Sequence, residues 1–392
     1  MGTRVIKFAT IAGTRPEIIK LSLLLPLLDE EYNNVFIYTD QHYSPSMKEI
    51  FFKELGVRQP DYDLRVQTSD YLKLEESIYL SLKKEKPSYV LVYGDTNSTV
   101  ASANAAKKIN SKLIHLEAGL RSFDEGMIEE RNRIYVDKIS DYLLTPTKLT
   151  KDFLEYEGLY NIHVVGNPIV GVSKNIIPKA ISRETKDKLK LNDDFLLITL
   201  HRQENVDNPY VLKKLVEHLS KIEGELVFPI HPRTKKRLNE YNISLPKNIV
   251  VTEPLGYFDF INLLYHSSVV LTDSGGVQEE AITLKKPCIT LRDTTERWET
   301  VLLGANVLFP PNGNENLKEK AKIRLSRSEY VKELRSQLSF DLYVDGLSLN
   351  EVVEEMKKRS SYIKNLNNPY GEDNVTNIIF ETIRKIGEEN DR

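Results

Sequence analysis

Leu271–Ala281, LTDSGGVQEEA, is the stretch on which the fold turns. An apolar run closes on Asp273-Ser274-Gly275-Gly276, and a helix-like segment starting near Val277 carries two adjacent acids, Glu279 and Glu280. A strand that hands over to a helix in this way leaves unpaired N–H groups at the helix start, and the helix dipole there favours phosphate. Glycine lets the backbone approach such a group closely, and Ser274 adds a hydroxyl donor. Carboxylates one turn later are wrong for phosphate but suit a diol, because one carboxylate accepts from both ribose hydroxyls. The stretch reads as a nucleotide site. Its alternative is a plain tight turn followed by acids matched to the helix dipole.

The same grammar recurs on both sides. A short β-branched or apolar run ends in polar or Gly-rich residues, and a helical pattern follows. The first half has VIKFATIAGTRPE, VFIYTDQH, YVLVYGDTNST, LIHLEAGLRS, YLLTPT and IHVVGNP. The second has FLLITLHRQEN, LVFPIHPRT, IVVTEPLGY, VVLTDSGG, PCITLRDTTE and ANVLFPPNG. Such alternation predicts βαβ units and parallel sheets. Two sets of runs in 392 residues predict an α/β protein with two Rossmann-like, doubly wound domains facing across a cleft. The expected division is residues 1–168, 169–365 and a C-terminal helical segment, 366–392, returning to the first domain. Pro168 and Pro178 punctuate the first boundary, and the tail has an apolar face at Val375, Ile378, Ile379, Ile383 and Ile386.

Composition narrows the class. Net charge is −3 with Lys and Arg spread along the chain, which gives no reason to expect nucleic-acid or membrane-surface binding. The single cysteine, Cys288, leaves no intrachain disulfide and no cysteine-built zinc site. The start, MGTRVIKFATIAG, lacks a signal-peptide pattern, and Ile6 stands where myristoylation needs Ser or Thr. Leu21–Leu28 is far shorter than the roughly 20 residues of a membrane span, so a cytoplasmic protein is expected.

In an open parallel sheet, ligands bind beyond the carboxyl ends of the strands, where these polar residues fall. GTRPEIIK (Gly13–Lys20) places Arg15 and Lys20 beside a strand end, with Pro16 suited to a helix start and Pro26 expected to kink the helix. Solvated charges at a surface helix start are the alternative. GDTNST puts Asp95 at a strand end, where capping the next helix is its other reading. EAGLRS puts Glu117 there, with a Glu117–Arg121 pair as the bland alternative, and EERNR adds Glu130 at a helix start. HRQEN and IHPRT bring His201 and His231, able to donate to phosphate or to a leaving oxygen. No dinucleotide or Walker fingerprint and no metal-ligand spacing occurs, so neither cofactor nor metal is expected.

With these motifs in order, GTRPEIIK, GDTNST, EAGLRS, EERNR, HRQEN, LTDSGGVQEEA and RDTTERWE, the chain resembles the non-hydrolysing UDP-N-acetylglucosamine 2-epimerases over almost its full length. The resemblance implies a glycosyltransferase-B-like arrangement, a homodimer, and cofactor-free interconversion of UDP-N-acetylglucosamine and UDP-N-acetylmannosamine. On matching positions it implies that Arg15, Lys20, His201, Ser274, Gly275, Gly276 and Glu280 hold the UDP. Asp95, Glu117 and Glu130 would serve the sugar chemistry, His201 would assist, and Arg297 would help bind substrate. Where the family pattern often has glutamine this chain has Leu255, which leaves Phe260 to pack against the base. Gln41 and His42 match a second, activating nucleotide-sugar pocket of bacterial members, while RVQTSDY (Arg65–Tyr71) departs from its remainder. A hydrolysing epimerase, a glycosyltransferase and a nucleotide-sugar-binding regulator are the other readings.

Overall fold

Each of these runs forms a strand in the computed structural model, which describes residues 6–40, 52–68, 70–337, 341–344 and 346–390. The chain divides into two units, Met1–Val172 with Tyr370–Arg392, and Ser173–Pro369. The first boundary lies inside the helix Ile169–Ile181.

In the first unit, β1 (Lys7–Ala12), β2 (Asn33–Tyr38), β3 (Tyr62–Asp63), β4 (Tyr89–Tyr93), β5 (Lys112–Leu116), β6 (Tyr142–Thr145) and β7 (Ile162–Val164) form one sheet. All its pairings are parallel, in the order β3-β2-β1-β4-β5-β6-β7. Alternate residues feed opposite layers, as a sheet covered on both faces requires. Phe8, Phe36 and Leu91 pack on one side with Leu25 and Leu28, whereas Ala9, Ile37 and Val90 pack on the other with Leu74, Ile78 and Ala101.

The C-terminal helix Val375–Asn390 joins the first of these layers through Val375, Ile379, Ile383 and Ile386. All four are at most 1% exposed, and burial of such side chains stabilises by roughly 1.5–3 kcal/mol each before entropy is counted. Ile378, expected on the same face, is 40% exposed and lies at its edge. The kink expected at Pro26 is instead a break. One helix runs Arg15–Leu21 and another Leu24–Glu31, so Pro26 falls in a first turn, where its missing N–H costs little.

In the second unit, β8 (Leu196–Thr199), β9 (Leu226–Pro229), β10 (Ile249–Thr252), β11 (Val269–Thr272), β12 (Cys288–Thr290) and β13 (Asn306–Leu308) form a second parallel sheet. Its order is β10-β9-β8-β11-β12-β13. Each unit thus starts in the middle of its sheet, winds outward, and returns to wind the other way. The order reverses between β1 and β4 and between β8 and β11, and loops diverge at such points to open a ligand crevice. GTRPE, GDTNST, HRQEN and DSGG are the four segments that follow these four strands.

Candidate active site

In the first unit the turn after β1 is held by its own helix. Thr14 and Glu17 form a capping box at the start of Arg15–Leu21, and Glu17 Oε2 accepts the Gly13 amide at 2.5 Å. Glu17 Oε1 accepts from the Thr96 hydroxyl at 3.0 Å, which ties this turn to the one after β4. Burial pushes the Glu17 carboxyl up to about 7, against the pull of the hydrogen bonds from Gly13, Thr96 and Thr14. Gly13 is required by crowding, because a Cβ there would lie 2.4 Å from Ser98 Cβ. Arg15 stays exposed.

Asp95 does not cap the helix Asn97–Lys108. Thr96 does, accepting from the Thr99 amide at 3.2 Å. Asp95 is turned instead toward Arg133, whose Nε lies 3.1 Å from its Oδ2 and whose Nη2 contacts the same oxygen. Asn132 donates to the Asp95 carbonyl at 2.9 Å. His115 is structural, its Nε2 2.8 Å from the Gly94 carbonyl and its Nδ1 2.7 Å from Asp137.

Glu117 sits at the end of β5 with φ of 73°, the left-handed region that costs a non-glycine residue roughly 1–3 kcal/mol. Its Oε2 accepts from buried Lys20, from the Tyr93 hydroxyl at 2.8 Å and from Asn167 Nδ2 at 3.4 Å. The expected Glu117–Arg121 pair does not form, because Arg121 is taken by Asp137 and Glu157, each at 2.7 Å. Lys20, expected at a diphosphate, is 5% exposed and committed to Glu117. Glu130 is 1% exposed and surrounded by donors: the Ser122 amide and hydroxyl at 2.9 Å, the Phe123 amide at 2.8 Å and Arg133 Nη1.

In the second unit the loops after β8 and β11 are joined by Asp273. Its buried carboxylate accepts from the amides of His201 at 2.9 Å and Arg202 at 2.8 Å, and from Asn205 Nδ2 at 3.2 Å. Burial pushes this carboxyl up, but the His201 charge and the hydrogen bonds outweigh it and hold it below the usual carboxylate range. His201 Nδ1 lies 3.1 Å from Asp273, with the ring side chain 37% exposed and 5.4 Å from the His231 ring. His231 itself accepts the Arg233 amide and so starts a helix.

The helix Gly275–Thr283 begins at Ser274, whose side chain makes no cap and whose first turn carries no acid. The helix's own first turn therefore offers its foremost N–H groups no carboxylate, although Glu296 lies beside Gly275. A Cβ on Gly276 would meet nothing nearer than Ser274 Oγ at 3.9 Å, so space is open there for a ligand. On Gly275 a Cβ would lie 2.4 Å from Glu296 Oε1, so this glycine serves the packing beneath the turn. Glu280 accepts from the Tyr257 hydroxyl at 2.8 Å, whereas Glu279 is fully buried against Arg297. Arg297, expected to contact substrate, is 4% exposed. Phe260 is half-buried on the helix Tyr257–His266. Gln41 and His42 lie outside the described residues.

The structure brings together two sets of groups. One set holds Asp95, Glu117 and Glu130 with Lys20 and Arg133. The other holds His201 and Asp273 beside a helix whose first turn carries no acid, with Glu280 one turn on. Sequence reasoning missed Glu17, Tyr93, Arg133, Asn167 and Asp273. Glu17, Arg133 and Asp273 stand inside quoted motifs, and their ionisable character at strand or helix ends is the signal that could have found them. Among the described residues, no cluster of three or more His, Cys, Asp or Glu forms a metal-binding group. Nor is any helix there long and apolar enough to cross a membrane.

This arrangement has close relatives. The family described as UDP-N-acetylglucosamine 2-epimerase matches residues 28–357. The chain is 44% identical over 342 residues to the UDP-N-acetylglucosamine 2-epimerase of Methanocaldococcus jannaschii, covering 82% of this chain and 93% of that one. It is 38% identical over 365 residues to the UDP-2,3-diacetamido-2,3-dideoxy-D-glucuronate 2-epimerase of Pseudomonas aeruginosa, covering 90% and 99%. A crystal structure of the M. jannaschii UDP-GlcNAc 2-epimerase in complex with UDP-GlcNAc and UDP matches with a TM-score of 0.82 and 40% identity, covering 97% of this chain and 100% of that chain. Two Rossmann-ordered sheets, carboxylates and cations at their switch points, and a family match across most of the length agree, and the chain belongs to the UDP-N-acetylglucosamine 2-epimerase family.

Proposed function

We propose that the protein interconverts UDP-N-acetylglucosamine and UDP-N-acetylmannosamine without hydrolysing either. One observation carries this reading. The first unit gathers three carboxylates at the ends of β4 and β5 and on the helix Ile128–Ile139, each held by a buried cation, in a chain related throughout to 2-epimerases. The proton at sugar C2 is not acidic in the ground state, so the reaction starts at C1. The C1–O bond to UDP breaks with its electron pair, and cations and amide dipoles on the diphosphate favour that departure. Within the second unit the open helix start at Gly276 and His201 are assigned to this task, and Glu280 to the ribose. A carboxylate then takes the C2 proton, and the C–H electrons form the C1=C2 bond of 2-acetamidoglucal. UDP stays bound. Re-addition of UDP at C1 with protonation of C2 from the opposite face completes the epimerisation, with no net redox change and no water consumed.

The experiment is an NMR time course on UDP-N-acetylglucosamine in heavy water. The expected result is UDP-N-acetylmannosamine carrying deuterium at C2, without stoichiometric free UDP. Free UDP and free N-acetylmannosamine would establish the hydrolysing reaction instead, and protium retained at C2 would exclude proton exchange. Glu117→Gln should slow turnover by about 10²–10⁴-fold, the share of one general acid or base, and leave UDP affinity in place. We infer that the enzyme works as a cytoplasmic homodimer, which sedimentation of the purified protein tests.

A second reading concerns the sugar alone. Identity to the P. aeruginosa 2-epimerase, whose named substrate carries a 3-acetamido group and a C6 carboxylate, is only slightly below that to the M. jannaschii protein. The same time course on that diacetamido uronate tests it, and faster C2 exchange there would assign the substrate.

A further inference from the structure

Among the carboxylates assigned to the sugar chemistry, exposure separates two. Asp95 is 24% exposed in its side chain, whereas Glu130 is 1% exposed. Four donors already surround Glu130, and those from Ser122 and Phe123 come from one short loop. Phe123 holds φ of 65°, a left-handed conformation uncommon for a bulky residue, which the Glu130 carboxylate secures through the Phe123 amide. A proton carrier must reach its substrate, and Glu130 would have to abandon this loop to do so.

The residue that links the two acids is Arg133. It lies one turn after Glu130 on the same helix, with its side chain 2% exposed. Its fork divides its donors: Nη1 goes to Glu130, while Nε and Nη2 both go to Asp95 Oδ2. The Arg133 contacts to Asp95's carboxylate thus fall on a single oxygen, and its backbone carbonyl is fixed by Asn132 at 2.9 Å. A guanidinium is suited to this because it is planar, always charged and offers donors in a rigid fork.

We infer that Arg133 is a positioning residue that aims the free oxygen of Asp95 at the substrate, and that Glu130 acts through Arg133 rather than by carrying a proton itself. This rests on the epimerase reading above. Misplacing a reacting group by about 1 Å can cost about 10²-fold in rate, so Arg133→Ala should lower kcat by at least about that factor. KM and UDP affinity should stay near wild type, because neither acid is assigned to the nucleotide.

The test compares wild type, Glu130→Gln, Arg133→Ala, Arg133→Lys and the double variant Glu130→Gln/Arg133→Ala, by kcat on UDP-N-acetylglucosamine and by calorimetry with UDP. Calorimetry shows whether each variant has folded. Guanidinium chloride at millimolar concentration should restore a good part of the turnover of Arg133→Ala. The double variant should turn over no more slowly than Arg133→Ala alone, as two residues in one chain of action require. Arg133→Lys keeps the buried charge without the fork and should fall between wild type and Arg133→Ala, so it decides the matter if the alanine variant does not fold. Wild-type turnover in Arg133→Lys or Arg133→Ala, or losses that multiply in the double variant, would overturn the inference. A wild-type protein inert on UDP-sugars would overturn the epimerase reading and this inference together.

Discussion

Replacing Asp273 by Asn probes how the second unit holds its crevice open. The Asp273 carboxylate is fully buried and accepts the His201 amide on both oxygens, at 2.9 and 3.1 Å, the Arg202 amide at 2.8 Å and Asn205 Nδ2 at 3.2 Å. Asparagine keeps Oδ2, which accepts from Arg202, Asn205 and the His201 amide at 2.9 Å, but puts an NH2 group in place of Oδ1, against that same amide. A hydrogen bond to a charged acceptor contributes about 1.5–3 kcal/mol, and a buried donor left unmatched costs about 1–3 kcal/mol, so a loss of at least about 2.5 kcal/mol is expected. Trp298, the sole tryptophan, is fully buried within Ser173–Pro369, so its fluorescence reports unfolding of that unit. At a urea m-value of about 1–3 kcal/mol/M, the midpoint should fall by roughly 1–2 M with the slope unchanged. The sign in pH is fixed as well. A carboxyl held below its ordinary value of 3.8 contributes stability that is complete above 3.8 and is lost as pH falls through the lower folded value. The midpoints of wild type and variant should therefore converge in acid. An unchanged midpoint at pH 7, or a gap that persists below the folded value, would refute the reasoning.

Three further outcomes follow from the same turns. Glu17→Gln should flatten the pH dependence of stability. Burial raises Glu17 from 4.5 to about 7, so the folded state holds the extra proton between those values and wild-type stability declines as pH rises through them; denaturation midpoints at pH 5 and 8 measure the slope, which should shrink in the variant. Gly275→Ala puts a Cβ 2.4 Å from Glu296 Oε1, and overpacking of this kind costs about 1–3 kcal/mol, so the midpoint should fall and UDP binding weaken. Gly276→Ala, with nothing nearer than 3.9 Å, should keep the stability and lose only UDP affinity in calorimetry.

Much of the fold was legible because each strand is a compact apolar run that ends at a turn signal. Among the described strands only β3 escaped, since Tyr62–Asp63 is too short to show a period and lies at a sheet edge. The composition of the site was legible for the same reason, as strand ends are where ionisable residues have no structural need to gather. Its pairings were not. Lys20 meets Glu117 across 97 positions, Arg133 meets Asp95 across 38, and His201 meets Asp273 across 72. Parallel crossovers bring such residues together, and local spacing carries no trace of it. Two of the local alternatives, the Asp95 cap and the Glu117–Arg121 pair, failed because Thr96 and Asp137 were better placed.

Both units solve one geometric problem, and the two solutions differ in charge. Where strand order reverses, neighbouring strands send their loops to opposite faces, and backbone N–H groups at both helix starts are left without partners. In each unit a buried carboxylate closes the gap. Glu17 takes the Gly13 and Thr14 amides after β1 and the Thr96 hydroxyl after β4. Asp273, after β11, takes the His201 and Arg202 amides after β8. Amides and one hydroxyl do not offset the burial of Glu17, whereas Asp273 has an imidazole in addition and remains a carboxylate. A protonated Glu17 still accepts both amides on Oε2 while Oε1–H turns to Thr96, so the first turn survives protonation. A proton on Asp273 would remove the negative charge that lies 3.1 Å from His201 Nδ1. The first switch point can therefore lose its charge near neutral pH and keep its shape, while the second depends on its charge to hold His201 where it is assigned to meet the diphosphate.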